Sequence, residues 1–116
     1  MKKNFYCVFG TNYTTVEIIE ILRENFDMEF SPHESSYFGQ YLLYSGLFAD
    51  RITIRENRID HLGEWAEERF KDYPTIIKLS NTNGKNSDKI SKTNYIKKQF
   101  SKIANIALLE ERVFEE

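Results

Sequence analysis

Residues 36–55 read Ser36-Tyr-Phe-Gly-Gln-Tyr-Leu-Leu-Tyr44, then Ser45-Gly-Leu-Phe-Ala-Asp50, then Arg51-Ile-Thr-Ile-Arg55. The first run is rich in aromatic and aliphatic residues, the composition of a β-strand. Gly39 inside it predicts a bulge or the close approach of another backbone. The last run alternates, with Ile52 and Ile54 set between Arg51, Thr53 and Arg55. One of its faces should be buried and the other wet. The Ser45-Gly46 turn and a short loop join the two runs. A link this short favours antiparallel pairing, because parallel neighbours need a long crossover.

Toward the N-terminus, residues 28–30 suggest a short strand that Ser31-Pro32 interrupts. Residues 15–26 have helical spacing. Thr14 is a suitable N-cap and Glu17 completes the capping-box interval. Val16, Ile19, Leu22 and Phe26 are expected on the core face, widened by Ile18 and Ile21. Glu17, Glu20 and Glu24 recur on the opposite face. Residues 4–9 are apolar on both faces and end at Gly10, which predicts an interior strand.

Toward the C-terminus, Asp60 could cap a second helix over about 61–72, ended by Tyr73-Pro74. Trp65 and Phe70 are expected to meet Ile54 between that helix and the sheet. Residues 75–79 read as a strand. Residues 80–89 contain no apolar side chain, so an exposed polar loop with an Asn83-Gly84 turn is expected. A third helix over about 91–102 would bury Ile96, Phe100 and Ile103. A last strand follows over 105–109, with a continuation over 112–114. The order β-α-β-β-β-α-β-α-β predicts a single α+β domain over 1–116. Its expected architecture is one mixed, mainly antiparallel sheet with about three helices packed on it.

The chain has 116 residues and a formal net charge of −2. That length is enough for one real core, which nine Phe, seven Tyr and one Trp can fill. Charge is unevenly placed. Residues 1–50 hold three Lys/Arg against seven Asp/Glu, whereas 73–102 hold seven Lys against one Asp. The last seven residues hold four Glu and one Arg. Cys7 is the single cysteine and lies in an apolar run, which predicts an inert buried thiol. Met-Lys-Lys at the start is followed by an apolar run too short for a signal peptide, and no stretch reaches membrane-span length. A cytoplasmic protein with no membrane partner is expected.

Recognisable chemistry is sparse. His33 and His61 stand far apart with no ligand spacing between them, so no metal site is expected. Gly10 precedes a helix, but the following Thr-Asn-Tyr-Thr-Thr lacks the glycines and lysine of a phosphate loop. No cofactor and no catalytic residue is assigned, and an enzyme is not expected. Lys78, Lys85, Lys89, Lys92, Lys97, Lys98 and Lys102, with Tyr95 among them, offer the alternative of a small nucleic-acid-binding or regulatory domain using segment 78–102. The absence of arginine there and a pI of 5.8 make nucleic acid the weaker expectation.

Tyr37-Phe-Gly-Gln-Tyr41, Arg51-Ile-Thr-Ile54 with Asn57, Trp65, and Phe70-x-x-Tyr73-Pro74 form a progression. Over about residues 36–80 it resembles small immunity proteins of bacterial contact-dependent growth inhibition and related polymorphic-toxin systems. The resemblance implies a cytosolic protein that binds one cognate toxin, often a nuclease, and blocks its active site. It transfers no binding residue. The acidic stripe Glu17, Glu20 and Glu24 is assigned as the partner-binding face from charge alone, because a nuclease groove must be basic.

Overall fold

A computed structural model describes residues 1–35, 39–60 and 62–116. Its strands are β1 (Lys3–Thr11), β2 (Ser31–Ser35), β3 (Gly39–Tyr44), β4 (Arg51–Glu56), β5 (Arg58–Ile59), β6 (Glu64–Trp65), β7 (Thr75–Asn81) and β8 (Ile106–Glu115). Its helices are α1 (Thr15–Phe26) and α2 (Asn86–Ser101). Six strands form one sheet in the order β2-β3-β4-β7-β1-β8, and β5 pairs with β6 apart from it. Every pairing in the large sheet is antiparallel.

The α+β class and the antiparallel character agree with the sequence. Among the described residues no strands pair in parallel, so the expected mixed sheet is wholly antiparallel there, and two α-helices stand where about three were expected. β1 is interior, between β7 and β8, as its apolar faces indicated.

Alternation along the strands sorts the two sheet faces. Cys7 pairs with Leu79 and Phe9 with Ile77. Leu79 and Ile77 face Ile52 and Ile54 across β4. Leu42 and Tyr44 extend these rows onto β3. Both helices cover this face, α1 through Ile18 and Leu22, α2 through Ile96 and Phe100. Phe100 binds the layers together. Its ring lies 5.1 Å from Phe9, edge-on, and 6.3 Å from Phe26 on α1.

The α1 capping box is present in both directions. The Thr14 hydroxyl accepts from the Glu17 N–H at 3.1 Å, and the Glu17 carboxylate accepts from the Thr14 N–H at 2.9 Å. The buried stripe centres on Ile18 and Leu22, however, and Val16 is 61% exposed. Val16 and Ile18 are two residues apart, so they point about 200° apart around the helix. Once Ile18 is seated in the core, Val16 must leave it.

The expected helix over 61–72 is absent from its described residues. The β5-β6 hairpin and a single 3-10 turn, Glu68–Phe70, stand there instead. Asp60 caps no helix; it lies 3.7 Å from Arg58. Gly63 holds φ at +67°, a left-handed backbone that a helix interior does not accept. Asn57 then organises the segment from a fully buried position. Its Nδ2 donates to the carbonyls of Phe70 and Tyr73, both at 3.0 Å, and of Glu67 at 3.3 Å. Its Oδ1 accepts from the Glu67 N–H at 2.8 Å. These bonds reward a loop over a helix. Trp65 and Phe70 are consequently only half-buried, and Ile54 packs with the helices without them.

Residues 80–89 are the other correction. β7 runs through Asn81 and α2 begins at Asn86, so only 82–85 remain as a link. The Asp50 carboxylate accepts from the N–H groups of Thr82 and Asn83, both at 2.8 Å. Lys89 is fully buried and donates to the Lys3 carbonyl at 2.6 Å. Polar side chains here are structural partners, which an apolar-pattern reading cannot see.

At the sheet edge, β2 includes Pro32, expected to stop a strand earlier in the chain. An edge position tolerates it, since one side of the strand needs no ladder bonds. Ser36 to Phe38, the start of the expected 36–44 strand, lie outside the described residues.

Candidate functional site

Among the described residues, no α-helix lies on the second face of the sheet. Residues 67–73 cover one end of it. Gly10 is indispensable there, because an added Cβ would lie 2.5 Å from the Tyr73 ring and 2.7 Å from Leu109. Leu109 is the extra residue of a bulge in β8, opposite Val8 and Phe9. Beyond this cover the face is open, and it forms a shallow basin of about 410 Å³.

Two cross-strand rows line the basin. Arg51, Ser80, Tyr6 and Arg112 are successive register partners on β4, β7, β1 and β8. Thr53, Lys78, Val8 and Glu110 form the adjacent row on the same four strands. Phe114 closes the far side, its ring 5.4 Å from Tyr6 in an edge-to-face arrangement.

A chain of alternating charges runs along the basin wall. Lys78 Nζ lies 2.6 Å from Glu67 Oε1. Glu67 Oε2 lies 3.5 Å from Arg69. Arg69 donates to both Glu110 oxygens, at 2.7 and 3.4 Å. Arg112 joins Glu110 at 3.1 Å. The Arg69 hydrogen bond, with help from Arg112, holds the Glu110 carboxyl below its ordinary range. The two carboxylates offset two of the four cations around the basin, Lys78, Arg69, Arg112 and Arg51, the last two standing at opposite ends of the first row.

The acidic side chains singled out from the sequence lie elsewhere. Glu17, Glu20 and Glu24 are all exposed on α1. Glu17 is partly occupied by the capping box. Asp27 and Glu29, in the link after α1, and Glu34, on β2 and lining one groove with Val16 and Ile19 of α1, are exposed as well. Arg23 is the only Lys or Arg in that stretch, 3.9 Å from Glu29.

The lysine-rich segment is not one basic surface. Lys78 belongs to the open face, and Lys89 is buried. Lys92 pairs with Asp50 at 2.9 Å, and Lys97 with Glu111 at 2.6 Å. Lys85, Lys98 and Lys102 remain exposed.

Cys7 is buried on the helix-covered face. Burial first, and the nearby Glu111 second, push its thiol up to about 11, against a smaller opposing pull from Lys97. A thiol so placed stays protonated and unreactive at neutral pH. His33 is exposed on β2, stacked 5.6 Å from Tyr41; His61 lies outside the described residues. Among the described residues no group of His, Cys, Asp or Glu side chains is placed to hold a metal ion, and no helix is long and apolar enough to cross a membrane.

Sequence reading missed Arg51, Arg112, Tyr6, Glu67 and Glu110 as a group. The alternation at 51–55 placed Arg51 on a wet face. Only the strand order brings it into line with Tyr6 and Arg112. Compared with known proteins, the chain matches no family model, and no curated protein is significantly similar to it.

Proposed function

We propose that the protein is a cytoplasmic immunity protein that binds a cognate bacterial toxin and occludes its active site, docking through the α1–β2 edge. The observation carrying this reading is the charge of that edge. Glu17, Glu20, Glu24, Asp27, Glu29 and Glu34 are exposed there against Arg23 alone. A toxin that cleaves a polyanion must present a basic groove, and a fixed acidic surface complements it, speeding encounter and setting orientation. A stable complex would bury on the order of 1,600 Å² in total. The surface needs no catalytic group, because occlusion is a matter of affinity and shape.

The test has two parts. Co-expression with a toxin encoded beside the gene should restore growth; failure to protect against any such toxin overturns the immunity reading. The Glu20→Lys/Glu24→Lys/Glu34→Lys variant, which spares the Glu17 cap, should associate about tenfold or more slowly at low salt. The difference should shrink as salt screens the charges. Full protection with an unchanged association rate would remove the acidic edge from the interface.

A further inference from the structure

We infer that the open sheet face is a binding site for single-stranded nucleic acid, with Arg51 and Arg112 taking the backbone phosphates and Phe114 and Tyr6 offering a stacking surface. Three observations carry this, and none uses the α1–β2 edge.

The first is the distribution of charge. The four basic side chains around the basin outnumber its two carboxylates, and two of them, Arg51 and Arg112, stand at the ends of one row with Ser80 and Tyr6 between them; Arg112 shares Glu110 with Arg69. Three inter-strand steps separate them, about 14 Å at the usual strand spacing. Arg51 has no carboxylate partner among the described residues. Guanidinium groups bind phosphate through a planar fork, and they also stack on bases.

The second is the aromatic pair. Phe114 is 49% exposed although it touches Tyr6 edge-on. Such an arrangement leaves ring surface open to a base. Stacking of this kind tolerates any base, because every base has a π-face.

The third is the remaining lining. The hydroxyls of Ser80 and Thr53, together with Glu67 and Glu110, border the same basin. A carboxylate has more acceptor sites than its ion pairs consume. The amino groups of bases can use them, as they use Asp and Glu elsewhere. An acidic peptide would gain from the arginines and could donate its backbone N–H groups, but its carboxylates would meet Glu67 and Glu110 as like charges, and Asp and Glu side chains bring no ring to stack. A duplex keeps its base faces stacked inside, so an unpaired strand fits better.

The test uses fluorescence anisotropy of the full-length protein with a short fluorescein-labelled oligouridylate, titrated over a range of salt. Saturable, salt-sensitive binding is expected. Arg51→Ala/Arg112→Ala should weaken it about tenfold or more and flatten the log–log salt dependence by about 1 to 2. Phe114→Ala should weaken it by about tenfold with the salt dependence unchanged, the signature of lost stacking rather than lost charge. Thermal melts of each variant report whether the fold survives. Lys98→Glu/Lys102→Glu, at the C-terminal end of α2, should leave binding intact. Absence of saturable binding at low salt overturns the inference. So does loss of binding in the α2 variant with retention in the arginine variant, which would move the site to the helix. Displacement of the oligonucleotide by an equally low concentration of polyglutamate would overturn it in favour of an acidic protein segment. The Glu20→Lys/Glu24→Lys/Glu34→Lys variant should bind the oligonucleotide at least as well as wild type, so this result and that of the toxin experiment remain separate.

Discussion

The two faces of the one sheet are built from the same strands, residue by alternate residue, and do opposite things. The covered face presents Cys7, Phe9, Ile52, Ile54, Ile77 and Leu79 to two helices, and all six are essentially out of solvent. The open face presents Arg51, Ser80, Tyr6, Arg112, Lys78 and Glu110, the last three held by ion pairs that remain in contact with water. Burial of aliphatic area stabilises a fold strongly and without direction. Exposed ion pairs contribute little to stability, but they fix where charges stand. The stabilising core and the fixed surface charges are therefore separated across the thickness of a single sheet.

The largest test of that separation is a matched pair of truncations. Phe100→Ala removes the ring that joins α2 to Phe9 and to α1, and should destabilise the protein by about 3–5 kcal/mol. Lys78→Ala removes one member of the exposed charge chain and should cost about 1 kcal/mol or less. Denaturant unfolding followed by circular dichroism measures both. Similar losses in the two variants would break the comparison.

Asn57→Ala sharpens it at the boundary, where residues 67–73 fold over part of the open face. Its amide satisfies the carbonyls of Phe70 and Tyr73 and the N–H of Glu67. Losing it should cost roughly 2–4 kcal/mol, since buried backbone groups are left without partners. Amide exchange should rise in 57–74 before it rises in β1 and β7. A uniform increase across the sheet would instead show that the cover and the core unfold as one unit.

The smallest effect concerns Asp50, which ties the 82–85 link and α2 to β4. Burial alone would raise its carboxyl; hydrogen bonds from Asn83, Lys92 and Thr82 outweigh that and hold it below the ordinary value. A carboxyl lowered in the folded state stabilises the protein above its unfolded value, about pH 4, and loses that contribution as pH falls through the lowered folded value. Asp50→Asn should reduce the melting temperature modestly at neutral pH, and the gap from wild type should close on acidification below about pH 4. A gap that persists unchanged at low pH would assign the effect to packing and not to charge.

The local signals in the sequence were strong where local chemistry decides. The alternation at Ile52 and Ile54, the apolar run through Phe5 to Phe9, and the reciprocal cap of Thr14 with Glu17 each rest on residues a few positions apart. Such features determined five strands, the start of α1, the burial of Cys7, Ile96 and Phe100, and the mainly antiparallel α+β class. The exposure of Glu17, Glu20 and Glu24 followed from helical spacing in the same way.

Tertiary structure decided what depends on partners far along the chain. Residues 62–72 have helical spacing, yet Asn57 and the left-handed Gly63 hold them in a hairpin and a 3-10 turn. Residues 80–89 have no apolar anchor, yet Asp50 and the buried Lys89 order them through hydrogen bonds that carry no hydropathy signal. The open-face row shows the same limit most plainly. Arg51, Ser80, Tyr6 and Arg112 come from four strands scattered from one end of the chain to the other, and only the order β4-β7-β1-β8 makes them neighbours. Alternation determines which face a side chain takes, because the strand's own pleat sets it. Which residues stand beside it is set by inter-strand pairing, a long-range choice that no local pattern encodes.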